Sequence, residues 1–168
     1  SHRVAPAAIA AGLRGFVPDP HRNTQVGIWA AVRWVDDSKA TNPHAAQASL
    51  AAYPSIVWVA GGQLKGVAVD ELVAAAAPRL HAAVLLGADR AVVAAALARH
   101  APDVPVFVVD TADDGAMTEV VRAAAAFARP GDTVLLAPAA ASYDMFTGFG
   151  ARGDAFAAAA RALHEGAE

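Results

Sequence analysis

The sequence lacks cysteine entirely and contains only two lysines, Lys39 and Lys65, against eleven arginines. The absence of cysteine excludes disulfides and thiolate metal sites. No run of about 18 consecutive apolar residues is present, so we expect no membrane-spanning helix. The N-terminal residues lack the apolar core of a signal peptide. The basic residues are scattered and the formal net charge is −3. This argues against nucleic-acid binding, because that function requires a clustered basic surface.

Alanine supplies much of the 56% hydrophobic content and of the mean hydropathy of +0.36, which indicates helices with small side chains. Continuous runs of Val, Leu and Ile alternate with these helical stretches. Such runs are typical of strands that are buried on both faces. Strands that alternate with helices of about 10 to 15 residues indicate βαβ units. We therefore predict the α/β fold class, as a three-layer, Rossmann-like domain with a mostly parallel sheet.

The predicted elements follow one another at regular spacing along the 168 residues. The predicted strands are 25–30, 31–35, 55–60, 82–86, 104–109 and 132–137, and the predicted helices are 4–14, 43–52, 70–79, 89–100, 116–128 and 154–164. We interpret Ser1 and His2 as a tag remnant. Residues 1–21 are expected to hold this remnant with the last helix and linker of a preceding domain. Residues 22–168 are expected to form the α/β domain.

The segment DDSKATNPHAA concentrates polar side chains between a predicted buried strand and a helix. Ligands of parallel α/β sheets bind beyond the carboxyl ends of the strands, where this segment lies. Asn42 fits a helix N-cap and Pro43 the first helical position, and the start of a helix favours an anion. Lys39 and the hydroxyls of Ser38 and Thr41 add hydrogen-bond donors. A well-capped helix start with a surface salt bridge is an equally good interpretation of the composition.

The segment AGGQLKG follows the next predicted strand and contains the second lysine, Lys65. Its glycines allow close approach of the backbone to a ligand. The segment does not match the Walker A pattern, and alone it would indicate an ordinary glycine turn. Because both lysines fall in adjacent strand-to-helix loops, however, they suggest one shared anionic ligand.

A third polar loop, within LLAPAAASYDMFTGFGARGDAF, leaves the last predicted strand. Its backbone N–H groups and Ser142 could bind a small carboxylate. Ser142 is not expected to be a nucleophile, since no G-x-S-x-G elbow is present. The tripeptide Arg152–Asp154 is interpreted as chance, with Asp154 at the start of the last helix.

The remaining polar residues carry weaker signals. The histidines lack metal-ligand spacing, so no metal site is predicted: His44, His81, His100 and His164. A turn containing three aspartates is interpreted as solvated: Asp110, Asp113 and Asp114.

The three loops, together with PHR at Pro20–Arg22, occur in an order and spacing that closely resemble a known family. The chain resembles the C-terminal part of the UDP-N-acetylmuramoyl-L-alanine:D-glutamate ligases (MurD) of the Mur ligase superfamily, and its composition resembles that of actinobacteria. These cytoplasmic enzymes of peptidoglycan synthesis use ATP to phosphorylate the carboxylate of UDP-MurNAc-L-Ala. The amine of D-glutamate then attacks the acyl phosphate.

The resemblance implies a role for each matched residue. It implies nucleotide contacts for Arg22, Asp37 and Lys39, with Asp37 near the ribose and Lys39 as the catalytic residue facing the phosphates. The residues that it places against D-glutamate are Thr41, Lys65, Ser142, Tyr143 and Phe149, with Tyr143 acting through its backbone.

The resemblance also implies what the complete enzyme adds. The sequence contains no P-loop and no UDP-binding domain, so it resembles an excised C-terminal domain that is inactive alone and binds no cofactor. In the full-length enzyme, which is expected to be a monomer, ATP and Mg2+ would act together with the central and N-terminal domains. Two alternatives remain open: the C-terminal domain of another Mur-type amino-acid ligase, and a stand-alone nucleotide- or phosphate-binding module.

Overall fold

The computed structural model describes residues 19–111 and 115–165. The predicted helix at 4–14, Asp113 and Asp114 lie outside these ranges. The strands within them are β1 (Thr24–Trp29), β2 (Val32–Asp36), β3 (Ile56–Gly61), β4 (Leu80–Leu86), β5 (Val106–Val108) and β6 (Thr133–Leu136). The α-helices are α1 (Pro43–Ala51), α2 (Asp70–Ala76), α3 (Arg90–His100), α4 (Ala116–Phe127) and α5 (Phe149–Glu165). A short 3-10 turn at Ala77–Arg79 extends α2. No helix in these ranges has the length and apolar character needed to cross a bilayer.

The strands form one sheet in the order β1-β2-β6-β3-β4-β5. The β1–β2 pair is antiparallel and the other pairs are parallel. Leu50 of α1, Leu72 of α2 and Leu97 of α3 pack in a core on one face of the sheet. Val120 of α4 and Phe156 of α5 pack in a second core on the opposite face. The predicted three-layer α/β architecture with a mostly parallel sheet is confirmed.

Strand β5 differs from its prediction in length and in burial. It spans three residues rather than 104–109, and each of them is more than a third exposed, at 38%, 38% and 39%. The prediction of strands buried on both faces holds for β3 and β6 but is wrong for β5. The reason is its position: β5 is the last strand of the sheet and pairs only with β4.

Helix α5 begins at Phe149, five residues before the predicted start at 154. The prediction placed Asp154 at the start of the helix, whereas the five residues before it, which include Gly150 and Gly153, are already helical. Gly153 is required by packing, since a Cβ there would overlap His21 Nδ1 and lie 2.6 Å from Asp36 Oδ2. The close approach of α5 to β2 therefore explains a glycine inside a helix, despite its intrinsic cost of about 1 kcal/mol.

Candidate functional site

The three polar loops meet at one edge of the sheet, because β2, β6 and β3 are adjacent and parallel there. The backbone N–H of Ala139 donates to Ala40 O at 3.0 Å, which joins the third loop to the first. Gln63 and Ala141 exchange two backbone hydrogen bonds of 2.8 and 3.0 Å, which join the second loop to the third. The loops are thus one hydrogen-bonded unit at the position where parallel sheets bind ligands.

A pocket of about 280 Å³ lies between these loops. The five residues that the resemblance assigned to D-glutamate all line it: Thr41, Lys65, Ser142, Tyr143 and Phe149. Asn42 lines it too and caps α1, since its side-chain oxygen accepts from the Ala45 N–H at 3.0 Å. The predicted N-cap is therefore confirmed, and the start of α1 contributes positive potential to the pocket.

Two polar groups of this pocket have no protein partner among the described residues. Ser142 is only 2% exposed, and its Oγ makes no hydrogen bond. Buried hydroxyls are normally hydrogen-bonded. Lys65 is exposed and forms no ion pair with any described carboxylate. An unpaired ammonium and an unpaired buried hydroxyl on two residues that line the same cavity suit a carboxylate ligand.

Arg22, Asp37 and Lys39 line a second, more open depression of about 510 Å³. Asp37 is 5% exposed, accepts from the Asn23 N–H at 3.0 Å, and accepts from the hydroxyl of Ser49. Burial raises the pKa of Asp37 above its usual value, although both hydrogen bonds oppose that shift. The Asp37 carboxylate is therefore held in place by the protein in the lining of the depression.

Lys39 lies between the two pockets. Its ammonium donates to Asp19 Oδ2 at 2.6 Å and sits 5.8 Å from the centroid of the Phe149 ring, which lines the first pocket. The hydrogen bond from Lys39 lowers the pKa of the exposed Asp19 carboxyl. A phosphate bound in the depression would compete with Asp19 for this cation.

Ser38 does not have the role that the sequence suggested for it. Its hydroxyl donates to Phe149 O at 2.7 Å and accepts from Arg152 Nε at 2.9 Å, and the residue is fully buried. The prediction of Ser38 as a ligand donor is wrong, because both hydrogen-bonding functions of the hydroxyl are used inside the protein.

Sequence reasoning missed Arg152, which was interpreted as part of a chance tripeptide. This side chain is 1% exposed and donates to Ser38 O at 2.9 Å and to Ala140 O at 3.1 Å, with a longer contact of 3.5 Å to Gly61 O. Burial lowers its pKa to about 10, opposed by the nearby charges of Asp144 and Asp36. Arg152 thus bonds to the ends of all three loops from beneath the pockets.

His21 was also missed, although it lies within the quoted PHR. Its Nδ1 lies 2.7 Å from Asp36 Oδ2, and its carbonyl accepts from the Lys39 N–H at 3.0 Å. These two contacts fix the position of the backbone next to Arg22 and Lys39. The sequence signal for His21 was its place between Pro20 and Arg22 in the matched PHR segment.

Metal ligation has no support in the described residues. Within 19–111 and 115–165, no group of three or more His, Asp or Glu side chains could hold a metal ion. The residues within these ranges therefore do not fit Mg2+.

Comparison with known proteins identifies the family. The family described as Mur ligase, glutamate ligase domain, matches residues 21–140. The chain belongs to this family. The UDP-N-acetylmuramoylalanine–D-glutamate ligases of Streptomyces coelicolor and Frankia casuarinae are 62% and 64% identical to it, each over 95% of the chain. That of Mycolicibacterium smegmatis is 51% identical, also over 95%.

The family's fold is also found in a solved structure of low sequence similarity. A domain described as part of a UDP-N-acetylmuramate:L-alanyl-gamma-D-glutamyl-medo-diaminopimelate ligase from Haemophilus ducreyi matches with a TM-score of 0.55 and 20% identity. The match covers 84% of this chain and 99% of that domain, and at this identity it supports the fold alone. The Mur ligase domain described here spans about a third, 34% and 33%, of the length of its Streptomyces and Frankia relatives.

Proposed function

We propose that this chain is the D-glutamate-binding domain of a cytoplasmic, monomeric, ATP-dependent ligase that adds D-glutamate to UDP-MurNAc-L-Ala. The observation that carries the proposal is the first pocket. One cavity is lined by Lys65, whose ammonium pairs with no described carboxylate, and by Ser142, whose buried hydroxyl has no partner among the described residues. D-glutamate has two carboxylates, and a cation with a hydroxyl donor is the chemistry that holds one of them. The relatives that share more than half of their aligned residues with this chain carry the name of that ligase.

The second depression supports a nucleotide role beside the first pocket. Arg22 and Lys39 supply positive charge and Asp37 supplies a fixed acceptor for ribose hydroxyls. Lys39 is the catalytic residue of the proposal, because it alone lies between the nucleotide depression and the amino-acid pocket among the described cations. As the carboxylate of UDP-MurNAc-L-Ala takes the γ-phosphoryl group of ATP and ADP leaves, the Lys39 ammonium stabilises the charge that develops on the phosphoryl oxygens.

The second step uses the first pocket. The amine of D-glutamate attacks the acyl carbon, an amide forms, and inorganic phosphate leaves. Lys65, Thr41, Ser142 and Phe149 orient the amino acid so that the reaction becomes effectively intramolecular. The rest of the full-length ligase, with ATP and Mg2+, completes the site when this domain closes over it and excludes water from the acyl phosphate.

The direct test is steady-state kinetics of the full-length ligase with single substitutions in the pocket. Lys65→Ala removes a charge-assisted hydrogen bond of about 1.5–3 kcal/mol, so the apparent KM for D-glutamate should rise about 10- to 100-fold. Thr41→Ala, which removes a neutral donor, should have a smaller effect in the same direction. The KM for ATP should stay nearly constant in both variants.

Arg99→Ala is the matched control. Arg99 is an exposed cation on α3 that pairs with Asp70, outside both pockets. Its removal should leave every kinetic constant within twofold, an expectation based on the small value of surface ion pairs, about 0–1 kcal/mol. Unchanged KM values for D-glutamate in both pocket variants would contradict the assignment, as would a clear preference of the ligase for another amino acid.

A further inference from the structure

The turn that presents Lys65 is strained. The N–H of Val67 donates to Leu64 O at 3.1 Å, and the two central residues, Lys65 and Gly66, have φ values of +55° and +79°. Left-handed backbone suits glycine but costs a lysine about 1 kcal/mol or more. Such a conformation persists only where the surrounding structure holds it in place.

Asp89 holds this turn from a neighbouring loop. Its Oδ2 accepts from the N–H of Leu64, the residue directly before Lys65, at 2.7 Å. Its own N–H donates to Gly62 O at 2.9 Å. One residue therefore binds the segment on both sides of Gln63, through one charge-assisted and one neutral hydrogen bond.

The Asp89 carboxylate does not cap the helix that it precedes. Asp89 occupies the N-cap position of α3, where an aspartate normally accepts from the helix's own second or third N–H. Here it makes no capping hydrogen bond to α3. Helix α3 therefore lacks a side-chain cap that would stabilise it by about 1 kcal/mol. The carboxylate binds the Lys65 loop instead, through the N–H of Leu64.

The Asp89 loop is itself fixed against the site. A Cβ on Gly87 would lie 2.6 Å from both Gly62 Cα and Asp144 Oδ2, so the two loops are in tight contact. Asp144, which follows the pocket residues Ser142 and Tyr143, accepts from the Ala88 N–H at 2.7 Å. The Asp89 carboxylate therefore has little freedom to move away from Leu64.

We propose that Asp89 is a positioning residue for substrate binding, which acts by holding the left-handed turn that aims the Lys65 ammonium into the amino-acid pocket. This inference rests on the proposed function, in which Lys65 binds a carboxylate of D-glutamate. Asp89 does not line that pocket, and the inference assigns its effect to the turn that carries Lys65.

Three substitutions in the full-length ligase separate positioning from general stability. Asp89→Ala removes the acceptor and should raise the KM for D-glutamate about tenfold, with the KM for ATP and the kcat at saturating D-glutamate within twofold of wild type. Asp89→Asn keeps an oxygen acceptor for Leu64 N–H and should restore most of the affinity. Asp89→Ser favours the ordinary cap of α3 but is too short to serve both sites, so it should fold well and still show the raised KM.

Asp70→Ala is the matched control. Asp70 also lies at a helix start and pairs with Arg99 and His100, but it contacts neither the Lys65 turn nor the pocket. It should leave the KM for D-glutamate unchanged.

The double variant Lys65→Ala/Asp89→Ala decides the mechanism. If Asp89 acts through Lys65, the KM of the double variant for D-glutamate should be no higher than that of Lys65→Ala alone. Additive effects would overturn the inference, as would equal rises in the KM values for D-glutamate and ATP, or a wild-type KM in both Asp89→Ala and Asp89→Ser. If Lys65→Ala raises the KM while the Asp89 variants do not, only this inference fails. If Lys65→Ala itself has no effect, the proposed function fails and the inference with it.

Discussion

Substitution of Arg152 should test whether the three loops depend on one buried side chain. Arg152→Met replaces the guanidinium with an apolar chain of similar length and leaves Ser38 O and Ala140 O without their donor. A buried carbonyl that loses its donor costs about 1–3 kcal/mol, so two such losses give about 2–6 kcal/mol. Relief from burying a charge offsets part of this cost, as the pKa lowered to about 10 indicates. We expect a net loss of about 2–4 kcal/mol in the free energy of unfolding.

Arg152→Lys should recover only about half of that loss, because an ammonium keeps the charge but not the planar fork that reaches separated oxygens. The control is Arg161→Met on the same helix, since Arg161 is exposed. It should change the stability by no more than about 0.5 kcal/mol. Urea unfolding followed by circular dichroism measures these changes, and kinetics of the full-length ligase measure the site.

The KM for D-glutamate and the KM for ATP are both expected to rise in Arg152→Met, because Arg152 bonds to the loops of both pockets. This separates it from Asp89, whose removal should affect D-glutamate alone. An Arg152→Met variant that matches wild type in both stability and kinetics would refute the view that this guanidinium holds the loops together.

Three further substitutions test the packing around α5. The ring of His164 stacks on Trp29 at 4.7 Å, its buried Nε2 has no hydrogen-bond partner in the described part of the chain, and burial lowers its pKa. Its neutral form is therefore favoured in the folded state, so stability should be lost as the pH falls below about 6.5. His164→Phe should lose less stability between pH 8 and pH 5 than wild type, and parallel curves would contradict this. Gly153→Ala should destabilise the protein by about 1–3 kcal/mol through overlap with His21. Gly150→Ala, whose Cβ would lie 3.7 Å from the same ring, should be neutral or stabilising in the same urea titration.

The fold and the location of the site were largely predictable from the sequence. The buried strands β3 and β6 are apolar apart from Thr133 and pair in parallel, as continuous Val and Leu runs indicate. Lys39 follows β2 and Lys65 follows β3, two parallel strands on either side of β6, so both lysines lie at the same edge of the sheet. Each of them lines a different pocket there. The prediction that the polar loops meet in one site depends on this topology. The chemical roles of the site residues came from resemblance and remain predictions.

The contacts that hold the loops were not predictable, because their partners are far apart in sequence and their residue types suggest other roles. Arg152 reaches Ser38 across 114 positions, and an arginine on an alanine-rich helix ordinarily indicates solvent exposure. Gly153 lies inside α5 and not before it, and it is glycine because His21 and Asp36 occupy the space of a Cβ.

Asp89 illustrates the same limit from local sequence. An aspartate before a helical run predicts an N-cap, and Asp89 does occupy that position. Only the three-dimensional structure reveals that its carboxylate bonds to Leu64 in another loop. Residues that bind a ligand can be found from their chemical type and their place after a strand. Residues that position them cannot be recognised in this way. They are common residue types that bind backbone atoms, and every sequence has backbone atoms.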